Sequence, residues 1–517
     1  MISLFKVFMS PEASVNVTKT IDSGMITQNS KVEEFENNLQ LYFNHPYILT
    51  LNSATSGLTL AFRLLNLEQG DIVLSSPLTC FATNCAILAN NLKIKWVDVD
   101  PKTCNIDLED LKSKITRKTK AVCFVHWGGS PVNLSKINDI KIYAKKTYDI
   151  DLKVVEDSAH AFGAKYNNTH IGTHGNIAVY STQAIKHLTT GDGGLIFLPN
   201  KELYDRAKLL RWYGISREIP SEEGKDFRLE NNINEWGYKF HMNDINATIG
   251  LSNLPYMNKN LERIRQITNM YTTKLSQVQG INLVEQTPNS LSSFWIYTVK
   301  MVNKGGFIPF MLKHDIMVSQ VHNRNDKHSC VEEFKIPLPQ LDELEKSIVC
   351  IPCGWWLTDK EVEYVIKCIK SWCKLHTAYI VRYLVPEDFT RYLSLLKQLT
   401  QYQPLFIHTQ DTFRTKIEDM ERQGSVILVI EINNIIVATG KLFIETKFHQ
   451  CVAHLEDIVV DKEYRGIGIG QKMIKELLNC VPESCHKVVL QGKQELTNFY
   501  KKINFKPENS GFVYRLK

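Results

Sequence analysis

The chain has 517 residues, 44% hydrophobic and 22% charged, and its formal charge of +6 is not gathered into basic runs. That length exceeds one hydrophobic core and implies about three domains, while the dispersed charge argues against a nucleic-acid partner. No apolar run approaches the ~18 residues of a membrane span, and MISLFKVFMSPEAS lacks the apolar length and small-residue cleavage site of a signal peptide.

Twelve cysteines scattered through apolar segments read as reduced, buried thiols of a cytoplasmic protein. Cys350 and Cys353, followed by Cys368 and Cys373, are spaced loosely like a zinc site. However, SIVCIPCGWW reads as a buried strand entering a turn and EVEYVIKCIKSWCKL as a helix, so packing rather than metal is expected.

From Asn52 to about Phe197, helix-like and strand-like segments alternate: SGLTLAFRLLNL, then DIVLSSP, IKWVDVD, KAVCFVHW, LKVVEDS and NIAVYST. Short β-branched runs at this spacing predict an α/β fold, a largely parallel sheet covered by helices. From Pro255 the pattern changes to a long helix (NKNLERIRQITNMYTTKLSQV), strands and a closing helix, a smaller α+β unit. A new strand starts in HTAYIVRYLVPEDF, followed by a helix, two strands joined by a turn, and HLEDIVVDKEYRGIGIG opening another helix. The expected domains are 1–255, 256–375 and 376–517.

Three stretches of the first domain bear on chemistry. The strand ending VVED delivers Asp157 at its carboxyl end, where α/β sheets bind ligands, although a turn or helix cap would also use an aspartate. LNSATSGLTLAF opens a helix with hydroxyl residues; its backbone N–H groups, with Thr55 and Ser56, suit a phosphate as well as plain N-capping. YSTQAIKHLTTGDGG places a single lysine, Lys186, between an apolar strand and a glycine-rich turn, where an arbitrary lysine would simply be solvated. Together they fit pyridoxal 5'-phosphate (PLP), which requires an amine to attach to, a carboxylate to keep its pyridine nitrogen protonated, and a phosphate cup.

These stretches, with KVEEFE (31–36) and GYKFHMNDINATIGL (237–251), resemble the DegT/DnrJ family of sugar aminotransferases, fold-type I PLP enzymes, over about residues 5–375. The resemblance implies Lys186 as Schiff-base lysine and proton shuttle, Asp157 on the pyridine nitrogen, His160 on the ring-hydroxyl side, and Thr55, Ser56 and Ser181 on the phosphate. Many relatives stack an aromatic on the ring where this chain has Cys80, which leaves the adjacent Phe81 as the candidate. Where relatives have G-Y-N-Y-R-M this chain has GYKFHM; that segment reaches a neighbouring subunit's cofactor phosphate in the family, implying a homodimer and a point-charge role for Lys239. Some relatives with histidine in place of the lysine are dehydratases, so Lys186 implies transamination. Glutamate is the implied amino donor and a nucleotide-linked keto-deoxysugar (4-keto-6-deoxy, UDP- or dTDP-linked) the implied acceptor. In VHNRND (321–326), His322 and Arg324 are the implied sugar or diphosphate contacts, a plain polar loop being the other reading.

The run YRGIGIGQKMIKELL lacks the acidic residue about 20 positions on that a dinucleotide fold requires. It resembles instead the pyrophosphate loop of the GNAT acetyltransferases, filled here by Arg465, Gly466, Gly468 and Gly470, where successive backbone N–H groups face coenzyme A. Within that superfamily, HLEDIVV (454–460) and NFYKK (498–502) resemble glucosamine-phosphate N-acetyltransferase over about residues 376–517. By that resemblance, Ile458 to Val460 pair with the pantetheine arm of acetyl-CoA and Tyr500 protonates the departing thiolate. Glu456 or Asp457 relays the amine proton through water, Asp457 from the acceptor side. Relatives carry a coenzyme-contacting asparagine at the position of Leu496, so acceptor recognition need not be that of a glucosamine phosphate. The combined expectation is a bifunctional enzyme making an acetamido-deoxysugar, the alternative being an acetyltransferase with an unrelated amine acceptor.

Overall fold

The computed structural model describes residues 1–216, 232–376, 379–399, 409–432, 434–448, 450–465, 468–490, 496–501, 503–508 and 511–515. They form two compact units, Met1–Ile369 and Lys370–Lys517. This division falls inside the helix Asp359–His376, a few residues before the position expected from sequence. None of the described helices is long and apolar enough to cross a membrane.

The first unit is built on a seven-stranded sheet: β1 (Ile48–Leu51), β2 (Ile72–Ser75), β3 (Lys93–Trp96), β4 (Thr119–Val125), β5 (Lys153–Asp157), β6 (Ile177–Ser181) and β7 (Gly194–Phe197). Their order is β1-β7-β6-β5-β4-β2-β3, with β7 alone antiparallel to its neighbours. Alternate residues of one strand feed separate cores on the two faces. Ala121, Cys123 and Val125 of β4 join Val155 and Val179 on one side, whereas Val122 and Phe124 join Val154 and Ala178 on the other. Burial of both faces explains why these strands read as nearly unbroken apolar runs rather than alternating ones.

The helix Ser30–Phe43 buries Val32, Phe35, Leu39 and Phe43 on one face, at the spacing of a helical stripe. Its Glu36 is also buried: the backbone N–H and hydroxyl of Thr50 both donate to Oε1 at 2.8 Å, and the buried Arg211 guanidinium pairs with the same carboxylate. The smaller expected unit is present as a three-stranded antiparallel sheet (Ile281–Leu283, Tyr297–Met301, Ile348–Ile351). Its Ile296, Ile348 and Cys350 share a core with β4 and β5, so residues 256–369 form one body with the preceding chain.

The second unit is another seven-stranded sheet, antiparallel except where Gln450–Val460 runs parallel to Cys485–Leu490. The helices Phe389–Leu396 and Gln410–Arg422 contribute Leu395, Phe413 and Ile417 to one core. Ile469–Asn479 contributes Met473, Ile474 and Leu477 to another.

Candidate active site

The carboxyl ends of the parallel strands converge on the residues that the sequence singles out. Asp157 ends β5 and is buried; Thr83 Oγ1 donates to its Oδ2 at 2.5 Å and the Ala159 N–H to Oδ1 at 3.0 Å. Burial pushes this carboxyl above its usual range, against the two donors and the charge of Lys186. Beside it, Glu156 is held below the usual range: burial opposes ionisation, but His126 Nε2 donates at 3.0 Å and Asn176 Nδ2 at 2.7 Å. His126 Nδ1 accepts from the Val132 N–H, so the proton sits on Nε2, and the tautomer is set by the fold.

Lys186 lies on the loop after β6. Its Nζ stands 3.4 Å from the ring centroid of Trp295, with no hydrogen-bond partner among the described residues. Burial brings this amine down to about 7, against the opposing pull of Asp157 and then Cys80. His160, 1% exposed, stacks on Trp295 at 4.0 Å and 18°, and parallel to His322 at 5.5 Å. His160 Nδ1 and His322 Nε2 are buried with no hydrogen-bond partner among the described residues. Burial and then the charge of Lys186 hold both imidazoles neutral, His322 at about 4.

On the other flank, Ser181 and Leu51 both pair with Gly194, bringing three strand ends beside the start of the helix Ala54–Leu64. Ser53 Oγ caps this helix by accepting from the Ser56 N–H at 3.0 Å. A Cβ on Gly194 would stand 2.5 Å from the Ser53 carbonyl atoms and 2.6 Å from Ala54 N, so glycine is required for β7 to pass the helix start. Thr55, Ser56 and Ser181 are thereby gathered around one helix N-terminus in the unit that carries Lys186 and Asp157.

Two expectations are corrected. Arg324 does not face a substrate: it is 3% exposed, and its guanidinium is taken by Asp326, Asp342 and Glu345. A buried arginine whose donors are spent on carboxylates holds the loop together rather than reading a ligand. Phe81 begins the helix Phe81–Leu88 and packs edge-on against His328 at 5.2 Å; the exposed neighbour whose charge acts on Lys186 is Cys80. Lys239 keeps an exposed side chain, its carbonyl accepting from Asn52 Nδ2. The rest of that motif has a structural part: Asp244 accepts from the N–H groups of Asn29, Lys31 and Val32, capping the helix that carries Glu36.

Sequence reasoning missed Thr83, Trp295 and Trp127, whose indole stands edge-on to His160 at 6.2 Å and to His322 at 6.1 Å. Thr83 lies within PLTCFATN, but nothing in its spacing announces the contact with Asp157, 74 residues away. Trp295 lies in a different region of the chain from the motifs it joins.

Residues 9–370 match the DegT/DnrJ/EryC1/StrS aminotransferase family. The chain belongs to that family. Among solved structures it resembles AtS13 from Actinomadura melliaura (43% identical, TM-score 0.70, covering 72% of this chain and 98% of that one). It also resembles the sugar aminotransferase CalS13 from Micromonospora echinospora (41%, TM-score 0.69, 72% and 100%). A curated relative, the UDP-4-amino-4,6-dideoxy-N-acetyl-beta-L-altrosamine transaminase of Campylobacter jejuni, is 28% identical over 68% of this chain and 91% of its own.

Beyond this sugar aminotransferase unit, the second unit presents its own site. Register between Ile435–Lys447 and Gln450–Val460 jumps from Lys441↔Glu456 to Thr439↔Val459, so two residues, Asp457 and Ile458, oppose Gly440. This is a β-bulge, and Asp457 takes φ +52 there. Parallel pairing with the next strand is recorded as far as Leu455↔Leu490. Burial pushes the Asp457 carboxyl up, against Lys441, whereas Glu456 pairs with Lys441 at 2.8 Å and is half exposed.

Gly468, at φ +88, caps the helix Ile469–Asn479 at its N-terminus. Arg465 donates from Nε to the Val460 carbonyl at 2.8 Å, tying the loop to the bulged strand. A Cβ on Gly470 would lie 3.3 Å from Phe499, a packing reason for glycine there. Gly466 lies outside the described residues. Tyr500, 7% exposed, sits in the core with Phe499 and Phe505, and burial pushes its hydroxyl up. Ile458 and Val460 are half-buried against the same core. Residues 392–505 match the acetyltransferase (GNAT) family, so the chain is a sugar aminotransferase fused to a GNAT acetyltransferase domain.

Proposed function

We propose that the first unit uses PLP to move an amino group, from glutamate, onto the keto group of a nucleotide-linked deoxysugar (4-keto-6-deoxy, UDP- or dTDP-linked), and that the second acetylates the new amine from acetyl-CoA. The observation that carries the first half is Lys186: a half-buried amine with no hydrogen-bond partner among the described residues, held at about 7 in the field of the Asp157 carboxylate. The residues present fit the cofactor. Lys186 would hold its aldehyde carbon, Asp157 its pyridine nitrogen, and Thr55, Ser56 and Ser181 its phosphate at the helix start. Bound PLP supplies an electron sink for the carbon that gains or loses the amino group.

This chain's side chains manage the protons. Lys186 near neutrality is able both to take a proton and to return it. Asp157 provides the negative charge opposite the pyridine nitrogen, oriented by Thr83 and the Ala159 N–H. His160 and His322, kept neutral by burial, would offer nitrogens that have no partner among the described residues to the ring hydroxyl and the sugar, without placing competing positive charge beside Lys186.

For the second half, Val459 and Val460 stay paired with Thr439 and Ala438, while pairing toward the strand Cys485–Leu490 runs among the described residues only as far as Leu455, so past the bulge that edge would offer its N–H groups to the thioester carbonyl. Asp457 rather than Glu456 suits the relay of the amine proton, because Glu456 is engaged by Lys441. The C. jejuni relative, named for a 4-amino-4,6-dideoxy sugar, supports the substrate class. Incubating the purified protein with a panel of nucleotide ketosugars, glutamate and PLP, with and without acetyl-CoA, is expected to yield the aminosugar alone and then its monoacetyl form by mass. An aminosugar that acetyl-CoA leaves unchanged would make the acetyltransferase acceptor unrelated.

A dimer through the first unit completes the reading. Met25 and Leu41 are exposed and line an open groove of about 1040 Å³ beside the helix that Asp244 caps. Lys239 would reach a second subunit's phosphate across such an interface. Sedimentation of the active species as a dimer is expected; an active monomer removes both the interface and the role of Lys239.

A further inference from the structure

Residues 293–295 hold two parts of the site together. Trp295 Nε1 donates to the Ile185 carbonyl at 2.9 Å, and His187 Nε2 lies 3.0 Å from the Ser293 carbonyl oxygen, so the residues flanking Lys186 are both tied to this segment. Ser293 Oγ donates to the His160 carbonyl at 2.9 Å, tying in the segment after Asp157. The indole is 5% exposed and packs on His160, on Phe5 at 5.1 Å, and under the Lys186 ammonium.

The backbone is turned to achieve this. Phe294, immediately before Trp295, has φ +49, and Val321, immediately before His322, has φ +71. Bulky and β-branched side chains rarely adopt the left-handed region, and such outliers cluster at functional sites because the surroundings must enforce them. A core tryptophan needs neither a strained neighbour nor a cation on its face.

We propose that Trp295 is a positioning residue for amino transfer: its face holds the Lys186 ammonium beside Asp157 and His160 whenever the amine is not covalently engaged. The inference rests on reading Lys186 as the attachment amine. A cation over an indole face is stabilised relative to the neutral amine, so the ring opposes the downward pull of burial on Lys186. The other titratable groups in its field are Asp157, Cys80, His160, His187 and His322. A change at Trp295 keeps all five residues in the chain but removes the ring on which His160 stacks, so Trp295→Phe, which keeps a ring there, is the control.

The test uses the full chain freed of cofactor, as wild type, Trp295→Leu and Trp295→Phe. Reductive methylation of Lys186, followed by mass spectrometry of its peptide across pH, reads the amine's titration midpoint. Leucine keeps the site apolar and removes the face, so the midpoint should fall by up to about one pH unit, up to roughly ten-fold more neutral amine at a given pH. Phenylalanine should restore most of the difference. A midpoint that is unmoved or raised in Trp295→Leu overturns the proposal. If that variant does not fold, the comparison of wild type with Lys186→Met decides: indole emission should differ between them and the difference should titrate, whereas identical emission at every pH overturns the contact. Borohydride fixation of PLP on wild type separates the premise from the inference. Fixation at another lysine overturns the reading of Lys186, while fixation at Lys186 with an unmoved midpoint overturns the role of Trp295 alone.

Discussion

Lys186→Ala is expected to abolish amino transfer and to leave acetylation of a supplied aminosugar largely intact. Alanine removes the only amine that the site places beside Asp157 among the described residues, and with it both covalent attachment and proton transfer. Loss of a nucleophile of this kind costs several orders of magnitude, so the expected residual rate is below detection in a multiple-turnover assay. Acetylation should survive because its site belongs to a separate compact unit.

The same substitution should also stabilise the cofactor-free protein. Burial brings the folded amine down to about 7, below the ordinary lysine value of 10.5, so the folded state binds fewer protons between those values. The cost of burying the charge is therefore fully present below pH about 7 and fades as pH rises toward the unfolded value. The gain in melting temperature of Lys186→Ala over wild type should be largest in acid and shrink toward high pH. Multiple-turnover amino transfer by the variant, measured against a heat-killed control, would remove Lys186 from the mechanism.

Gly468→Val removes acetylation, or raises the acetyl-CoA KM sharply, with amino transfer little changed. Gly468 caps the helix Ile469–Asn479 at φ +88, a conformation in which a β-branched residue is strained by about 1–3 kcal/mol. Relief of that strain would rotate the N–H groups at the helix start, the ones a pyrophosphate would use. The contrast between the two activities is the informative result, since general misfolding would remove both. An unaltered acetyl-CoA KM in folded Gly468→Val protein would mean that the loop does not bind the coenzyme.

Much of this architecture is legible in the sequence because it follows from local chemistry. Doubly buried strands must be apolar on both faces, so VVE, IAVY and KAVCFV announce a parallel sheet. Turn glycines at fixed offsets, as in TTGDGG and RGIGIG, announce places where backbone must pass closely. The strand that ends in Asp157 carries its carboxylate to the ligand-binding edge by connectivity alone. Both families, and Lys186 and Asp157 as candidates, are accordingly legible in the sequence.

What only the tertiary structure decided are the partners that arrive from distant positions. Arg324 was a ligand contact by resemblance alone; three carboxylates, two of them from positions 342 and 345, engage it instead. Phe81 was the stacking candidate because it adjoins Cys80, but Cys80 precedes the helix in non-helical backbone while Phe81 opens it and packs edge-on against His328. Glu456 and Asp457 are indistinguishable as letters; the bulge opposite Gly440 gives one a lysine partner and buries the other. Trp295 is 109 residues from Lys186 and 135 from His160 in sequence, and no local pattern encodes a contact across such separations. Composition and period thus determined the elements, and motifs that resemble two families marked the candidate groups, while long-range packing decided which side chains surround them, because burial and charge at a site depend on the whole fold.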